Sequence, residues 1–481
     1  MATPSAYEDS YLSRWLRVRE FAVPPSMIET ATARRRAGDW AGACAAARVD
    51  VDLDLRALAR SHGSELVSRV RGDLRRLAPD LLRWHMPRIA PDGLLRPGLT
   101  VALARYDTGN RDGTGPVHLV ARTAPAWADS GQRISLALWD RSASGAGPGP
   151  AHPHPHPHPR FRLDLHRHLW DASRAGELRT RSGADGPPGG PPSPGPPRDG
   201  PHHAVDRWTA EAAILLRAEG RPAGPVAVRL GRAHRLLLDA DPAQGPAGDP
   251  PRAPAPTALR VAPARRDSVT VPVLPDAATW LPPDLELLRA GLVEAGQLHP
   301  LVAAALVPGH VPTGPPRPPD GAGAPRLVEC RGARHRIGLV DGVLTPLDHD
   351  PAELRREELL VALTGTALPC VRAVDEAHRC PDRLSGVRER LDHGDVAGAL
   401  AVVEGLLGPA ALLRDGALRD ALETAARQRV TYGLYRAGLF GPAPGRKLVP
   451  PVPLRGTRPD GRRTRGARPR HATTASSSAS R

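Results

Sequence analysis

The chain contains few aromatic side chains and almost no lysine or asparagine. Its 481 residues include only 8 Trp, 5 Tyr and 3 Phe, so leucine, valine and alanine must fill most of the core. These residues bury less apolar area than phenylalanine, and each packed unit is therefore expected to be modestly stable. Lys447 and Asn110 are the single residues of their types, so nearly all basic residues are arginine. This bias is typical of a GC-rich genome, and an individual arginine, proline or glycine therefore carries less functional information.

Cysteine and long apolar runs are also scarce. The cysteines at positions 44, 330, 370 and 380 form no CxxC pair, as expected in a reducing compartment. The longest apolar run, residues 301–307, is too short to span a bilayer. The first 15 residues lack the apolar segment of a signal peptide. These absences predict a cytoplasmic protein with no membrane partner.

The net charge of +15 suggests a polyanionic ligand, but the charge is unevenly distributed. About half of it lies in residues 455–481, a segment predicted to be disordered. This tail contains no aromatic side chains that could stack on bases. Any nucleic-acid binding by the tail should therefore be non-specific and salt-sensitive. The predicted polyanion-binding residues are Arg455, Arg458, Arg462, Arg463, Arg465, Arg468 and Arg470.

Hydrophobic periodicity predicts an α+β protein with helices at both ends and antiparallel β-hairpins between them. Proline- and glycine-rich segments are predicted to be disordered insertions. The predicted organisation is a helical unit at 1–90, a β-rich unit at 91–177 with a His-Pro tract at 152–159, a disordered linker at 178–204, an α/β unit with a hairpin at 205–307, a loop at 308–325, a β-hairpin followed by a helical unit at 326–440, and a disordered arginine-rich tail at 441–481.

Two segments of the chain repeat one pattern. Residues 38–45 are GDWAGACA and residues 394–401 are GDVAGALA. In each, the glycine is predicted to end one helix and the aspartate to cap the next. The pattern resembles the turn of tetratricopeptide-like helical hairpins, although no 34-residue period connects the two copies. The copies are either interaction hairpins or ordinary helix–turn–helix packing.

Several histidines and cysteines suggest a metal site. Thiolates and imidazoles suit zinc, and the candidate ligands are Cys330, His335, His349, Cys370, His378 and Cys380. Their spacing differs from that of tight structural sites, in which ligands come in close pairs. A second, weaker metal-binding tract alternates histidine with proline in a segment predicted to be disordered; its histidines are His152, His154, His156 and His158.

Other charged patterns have simpler interpretations. Arg162, Asp164, His166 and His168 are predicted to lie on the exposed face of a strand. The carboxylates of the segment DVDLD at 50–54 could face a hard cation, but the segment lacks the glycine and the closing glutamate of an EF-hand. They are therefore predicted to be solvated residues before a helix.

No complete catalytic motif is present. Residues 375–378 spell DEAH, but the GxxxxGK[ST] loop that a helicase needs to hold phosphate is missing. There is no GxSxG or HExxH motif either. An enzyme is therefore not favoured, although catalytic groups can come from distant positions.

Residues 10–15 and 327–350 are similar to those of a family of proteins from high-GC bacteria with no assigned activity. Such proteins lie near MoxR-type ATPases and von Willebrand A-type proteins, so the resemblance implies an ATPase or a von Willebrand A-type protein as partner. The favoured hypothesis is a non-catalytic adaptor without a cofactor. The alternatives are a nucleic-acid-associated protein that binds through its tail and a metal-dependent enzyme, with zinc, that uses the Cys/His residues near 330–380.

Overall fold

The computed structural model describes most of the chain between residues 11 and 439. The described residues are 11–107, 115–128, 132–140, 152–185, 201–231, 234–240, 259–263, 271–310, 326–330, 333–340, 343–346, 348–350, 352–353, 355–356, 385–407 and 416–439. By its internal contacts the chain divides into residues 1–440 and 441–481, and all described residues belong to the first unit. Within the described ranges, no helix is long and apolar enough to cross a membrane.

The described residues form thirteen α-helices, joined by short π- and 3₁₀-helical turns. The helices are α1 Tyr11–Arg17, α2 Pro25–Arg36, α3 Trp40–Ala46, α4 Leu55–Arg76, α5 Pro79–His85, α6 Leu178–Ser182, α7 Trp208–Ala218, α8 Asp276–Thr279, α9 Pro283–Arg289, α10 Pro300–Leu306, α11 Ser385–Asp392, α12 Val396–Leu407 and α13 Ala417–Arg436. Three of them start with proline after a residue of extended backbone. Proline suits this position because it has no N–H to leave unsatisfied.

The strands of the described segments form three sheets. They are β1 Val49–Val51, β2 Thr100–Tyr106, β3 Val117–Thr123, β4 Ile134–Asp140, β5 Gly224–Arg229, β6 His234–Ala240, β7 Leu259–Pro263, β8 Arg326–Cys330, β9 Ala333–Val340 and β10 Val343–Pro346. The first sheet has the order β1-β4-β3-β2, with β1 parallel to β4. The other two are antiparallel sheets with the orders β5-β6-β7 and β10-β9-β8. The predicted α+β class is confirmed, and so are the predicted hairpins β5–β6 and β9–β10.

The largest core joins elements from widely separated parts of the chain. Leu74 of α4, Leu103 of β2, Ile134 of β4, Trp170 and Val302 of α10 all belong to it. A second core lies between α7 and the β5–β6 hairpin, and a third lies among α11, α12 and α13. The N-terminal helices and the first sheet therefore share one interior, which the predicted boundary at residue 90 would divide between two units.

The two GD-x-AG segments adopt the same local structure, as predicted. Gly38 ends α2 and Gly394 ends the turn after α11, both with φ near +80°, a conformation that glycine adopts without strain. Asp39 then caps α3 by accepting a hydrogen bond from the Gly42 N–H at 2.8 Å. Asp395 accepts the equivalent bond from Gly398 at 3.2 Å. In both copies an arginine five residues earlier pairs with the capping aspartate.

The second of these turns packs against the N-terminal part of the chain. Arg48, which follows α3, donates to the His393 carbonyl at 2.9 Å and to the Asp395 carboxylate at 2.8 Å. The fully buried Arg83 of α5 donates to the same His393 carbonyl, and also to the carbonyls of Ala22 and Gln132. The C-terminal helices are therefore fixed to the first core through the turn of their own hairpin.

Two local predictions were wrong. Residues 161–170 do not form a strand: they contain one isolated bridge to β2 and a 3₁₀ turn at Arg167–Leu169. The predicted linker starting at residue 178 begins instead with helix α6, whose Leu178 is buried in the largest core. The apolar residues of these short segments pack on the first sheet and α10, and this tertiary burial outweighs the local turn and loop signals.

A glycine comparison tests the capping geometry. Gly42 has ordinary helical backbone, but a Cβ atom there would overlap the Asp39 carboxylate, whereas at Gly72 of α4 a Cβ would meet only the Arg76 guanidinium at 3.6 Å. Gly42→Ala should therefore lower the free energy of unfolding by about 1 kcal/mol through loss of the cap. Gly72→Ala should raise it by roughly 0.5–1 kcal/mol. Urea unfolding followed by circular dichroism measures both, and equal effects would contradict the described cap.

Candidate functional site

The structure brings together two of the six predicted metal ligands. His335 lies on β9 and His349 follows β10, and their rings meet with His335 Nδ1 2.7 Å from His349 Nε2. Cys330 is the last residue of β8 and is paired with Ala333. Cys370, His378 and Cys380 lie outside the described residues, as does the rest of the DEAH segment. Among the residues that are described, no three metal-binding side chains converge.

The His349 ring is held in place from two sides. Its side chain is only 4% exposed, and its Nδ1 lies 3.7 Å from the Glu353 carboxylate. The next residue, Asp350, begins a helical turn by accepting a hydrogen bond from the Ala352 N–H at 3.0 Å. This cap fixes the backbone that carries His349.

The His-Pro tract is packed at its first residue, in contrast to the loose loop predicted. His152 is buried, and its Nε2 lies 3.0 Å from the Thr123 carbonyl of β3. His154, His156 and His158 are exposed. The first ring therefore attaches the segment to the sheet, and the other three imidazoles are exposed.

The predicted exposed strand face at Arg162, Asp164, His166 and His168 is wrong. The segment is not a strand, and His166 and His168 are both buried. His166 Nδ1 donates to the Arg162 carbonyl at 2.8 Å, and its Nε2 donates to Glu211 Oε2 at 3.2 Å. Both ring nitrogens therefore lie against acceptor atoms inside the protein.

Glu211 of α7 is the counter-charge of this buried cluster. It accepts hydrogen bonds from His166 and from the Arg181 guanidinium. Burial alone would raise the pKa of Glu211, but the bonds from His166 and Arg181 outweigh it and lower the pKa to about 2. The cluster joins α6, α7 and the 162–168 segment, so it has a structural function.

A second buried cluster lines a small pocket and was not predicted from the sequence. Asp80 of α5, Asp284 of α9 and His299 surround it, together with Trp84 and Arg19. Each acidic residue follows a proline at a helix start, and His299 precedes one. The sequence feature that could have indicated these residues is a polar residue beside a proline that begins a helix. The sequence does not show that three such helix starts meet in the fold.

The hydrogen bonds of this pocket show that its groups serve each other. His299 Nε2 donates to Asp80 Oδ2 at 2.9 Å, while its Nδ1 accepts the Leu301 N–H at 3.1 Å. Both ring nitrogens are therefore occupied, and neither remains to remove a proton from a ligand. Burial raises the pKa of Asp284 to about 6, and its Oδ2 accepts a hydrogen bond from Trp84 Nε1 at 2.7 Å. His299 and Asp80 together have the composition of a catalytic dyad. However, the hydrogen bond from the Leu301 N–H to His299 Nδ1 is that of a helix cap.

The three aspartates of DVDLD do not face one common cation: two pair with arginines and the third caps a helix. Asp50, whose side chain is 12% exposed, pairs with Arg133 at 2.8 Å and accepts a hydrogen bond from the Tyr432 hydroxyl at 2.7 Å. Burial would raise the pKa of Asp50, but these hydrogen bonds lower it. Asp52 pairs with Arg436, and Asp54 caps α4. The prediction of solvated carboxylates is wrong for Asp50, which attaches α13 to the first sheet.

The opposite side of α13 carries exposed apolar side chains. Val430 is 63% exposed and Leu434 38%, and Leu439 beyond the helix end is 75% exposed. Val430 and Leu434 are four residues apart, so they lie on one face of the helix. Tyr432 and Tyr435 point the other way and are buried, with Tyr435 against Trp127 at 5.3 Å between ring centroids. We call Arg427, Val430, Leu434 and Leu439 the outer face of α13.

Comparisons with known proteins assign nothing to this chain. No family model matches it, and no match to a curated protein or a solved structure was found. The arginines of the predicted polyanion-binding tail, residues 455–470, lie outside the described residues.

The buried Glu211 charge can be tested by pH. Glu211→Gln keeps the side chain's shape but leaves His166 and Arg181 without an anion, so at pH 7 the free energy of unfolding should fall by about 3 kcal/mol. The Glu211 contribution is fully present above the ordinary pKa of 4.5 and is lost as the pH falls towards about 2. The difference in stability between parent and variant should therefore shrink between pH 5 and pH 2.5.

The matched control is Glu177→Gln, because Glu177 makes an exposed pair with Arg174. Its effect should stay below about 1 kcal/mol at every pH. Thermal unfolding over the pH series measures both variants. A parent–variant difference that does not change with pH would contradict the described charge state.

Proposed function

We propose that the protein is an interaction scaffold and that the outer face of α13 binds an acidic, amphipathic segment of a partner protein. The observation that carries this proposal is the exposed apolar surface of Val430 and Leu434 on a helix whose other face is fixed, with the exposed Leu439 just beyond its end. Single exposed apolar side chains are ordinary, but a cluster at helical spacing is typical of a docking surface.

The position of the helix supports this proposal. Tyr432 and Arg436 attach α13 to the carboxylates of Asp50 and Asp52, and Tyr435 packs on Trp127. A helix fixed along one side presents its opposite side with little loss of conformational entropy on binding. The outer face is therefore pre-organised for a ligand.

The charge of the helix indicates the chemistry of the partner. From Arg427 to the last described residue, every charged side chain is an arginine, at positions 427, 429 and 436. Arg436 pairs with Asp50 and Asp52, whereas Arg427, three residues before Val430, and Arg429 are exposed. Acidic side chains flanking an apolar stripe would complement this surface.

The chemistry of the buried clusters also favours a scaffold over an enzyme. His166 and His299 each have both ring nitrogens in internal hydrogen bonds. These two acid–histidine pairs thus serve to hold helices and turns together. The scaffold proposal accounts for these pairs without a substrate.

Site-specific photo-crosslinking in the source organism tests the proposal. A photoreactive amino acid replaces Val430 or Leu434 in the full chain, and Ser68 of α4, which is exposed on another helix, is the matched control position. We expect a discrete adduct from positions 430 and 434 that is absent from position 68. The partner segment found in the adduct should carry acidic residues next to apolar ones.

Charge reversal provides the second arm of the experiment. Arg427→Glu with Arg429→Glu should abolish the adduct, because it places like charges against the partner. Arg56→Glu with Arg60→Glu makes the same change in net charge on α4 and should leave the adduct intact. An adduct that survives the first pair of substitutions, or that forms equally from position 68, would overturn the proposal.

A further inference from the structure

His335 and His349 form a hydrogen-bonded pair of imidazoles. Two imidazole nitrogens from different elements meet at 2.7 Å, and the rings are nearly perpendicular, at 87°. A hydrogen bond between two imidazoles uses one proton and one lone pair. Two lone pairs directed at one point are what a transition-metal ion requires.

The surroundings of His349 determine which nitrogen faces the metal. Its Nδ1 lies on the side of the Glu353 carboxylate, at 3.7 Å, which leaves Nε2 for a metal ion. Nε2 is the atom that faces His335. A carboxylate behind a histidine is the usual arrangement that orients a metal-bound imidazole and raises its basicity.

The distance between the rings allows a metal ion after a small adjustment. Two Zn–N bonds of about 2.05 Å at a tetrahedral angle place the nitrogens about 3.3 Å apart. The observed separation is 2.7 Å, so the rings must move apart by roughly 0.6 Å and the shared proton must leave its position. Two further ligands complete the tetrahedral coordination shell of zinc.

We propose that His335 Nδ1 and His349 Nε2 bind a zinc ion, with Glu353 orienting His349. This site is separate from the outer face of α13 and does not depend on the proposed function. His349 is suited to the role because it directly precedes the Asp350 cap, which fixes its backbone. It is also distinct from the exposed histidines of the His-Pro tract.

Zinc titration of the full, untagged chain against a chromogenic chelator tests the proposal. The titration uses a background in which His154, His156 and His158 are changed to Gln, so that loose binding by the tract is removed. We expect one zinc equivalent, lost or weakened more than tenfold in His335→Gln and in His349→Gln. His310→Gln, a histidine outside both groups, is the matched control and should bind like the parent.

The Glu353→Gln variant tests the proposal even if the His335 and His349 variants fail to fold. It leaves both rings in place and should weaken zinc binding about tenfold, as loss of a carboxylate partner does elsewhere. Circular dichroism of each variant checks folding, and zinc should raise the thermal unfolding midpoint of the parent but not that of the His335 or His349 variants. A parent that binds no zinc, or folded His335 and His349 variants that keep the full equivalent, would overturn the proposal.

Discussion

The buried guanidinium of Arg83 joins three distant parts of the chain. It lies at the centre of the first core without exposure to solvent, and it donates to carbonyls at positions 22, 132 and 393. A buried cation is costly unless its N–H groups are satisfied. The turn after α1, the approach to β4 and the turn between α11 and α12 must therefore all stay in place around it. This requirement holds the C-terminal helices against the N-terminal body.

Buried charged groups with internal partners recur in this molecule, whose core has few aromatic side chains. Polar and charged side chains pair inside the protein in two such clusters: Asp73 with Arg167 and Tyr106, and Glu211 with His166. Removing one partner from such a cluster leaves an uncompensated charge, so these groups are sensitive to single substitutions. They specify which segments pack together more than they add to the net stability.

This use of polar groups explains why chemically suggestive residues are poor guides to function here. His299 with Asp80 has the composition of an acid–base pair, yet its second nitrogen caps α10. The two segments that carry the proposals differ in this respect. The outer face of α13 presents apolar side chains to solvent, and His335 and His349 direct two nitrogens at one point. Each has a feature that internal packing does not require.

The sequence by itself determined the local structures whose causes lie within a few residues. The caps by Asp39 and Asp395, the β5–β6 and β9–β10 hairpins and the α+β class follow from glycine conformation, side-chain caps and periodicity. It also singled out His335 and His349 as candidate ligands. Only the tertiary structure decided that those two rings meet, that residues 162–168 are buried, and that Asp50 receives Tyr432 from 382 positions away. Contacts of that kind are set by which faces of distant elements pack together, and no local pattern records them.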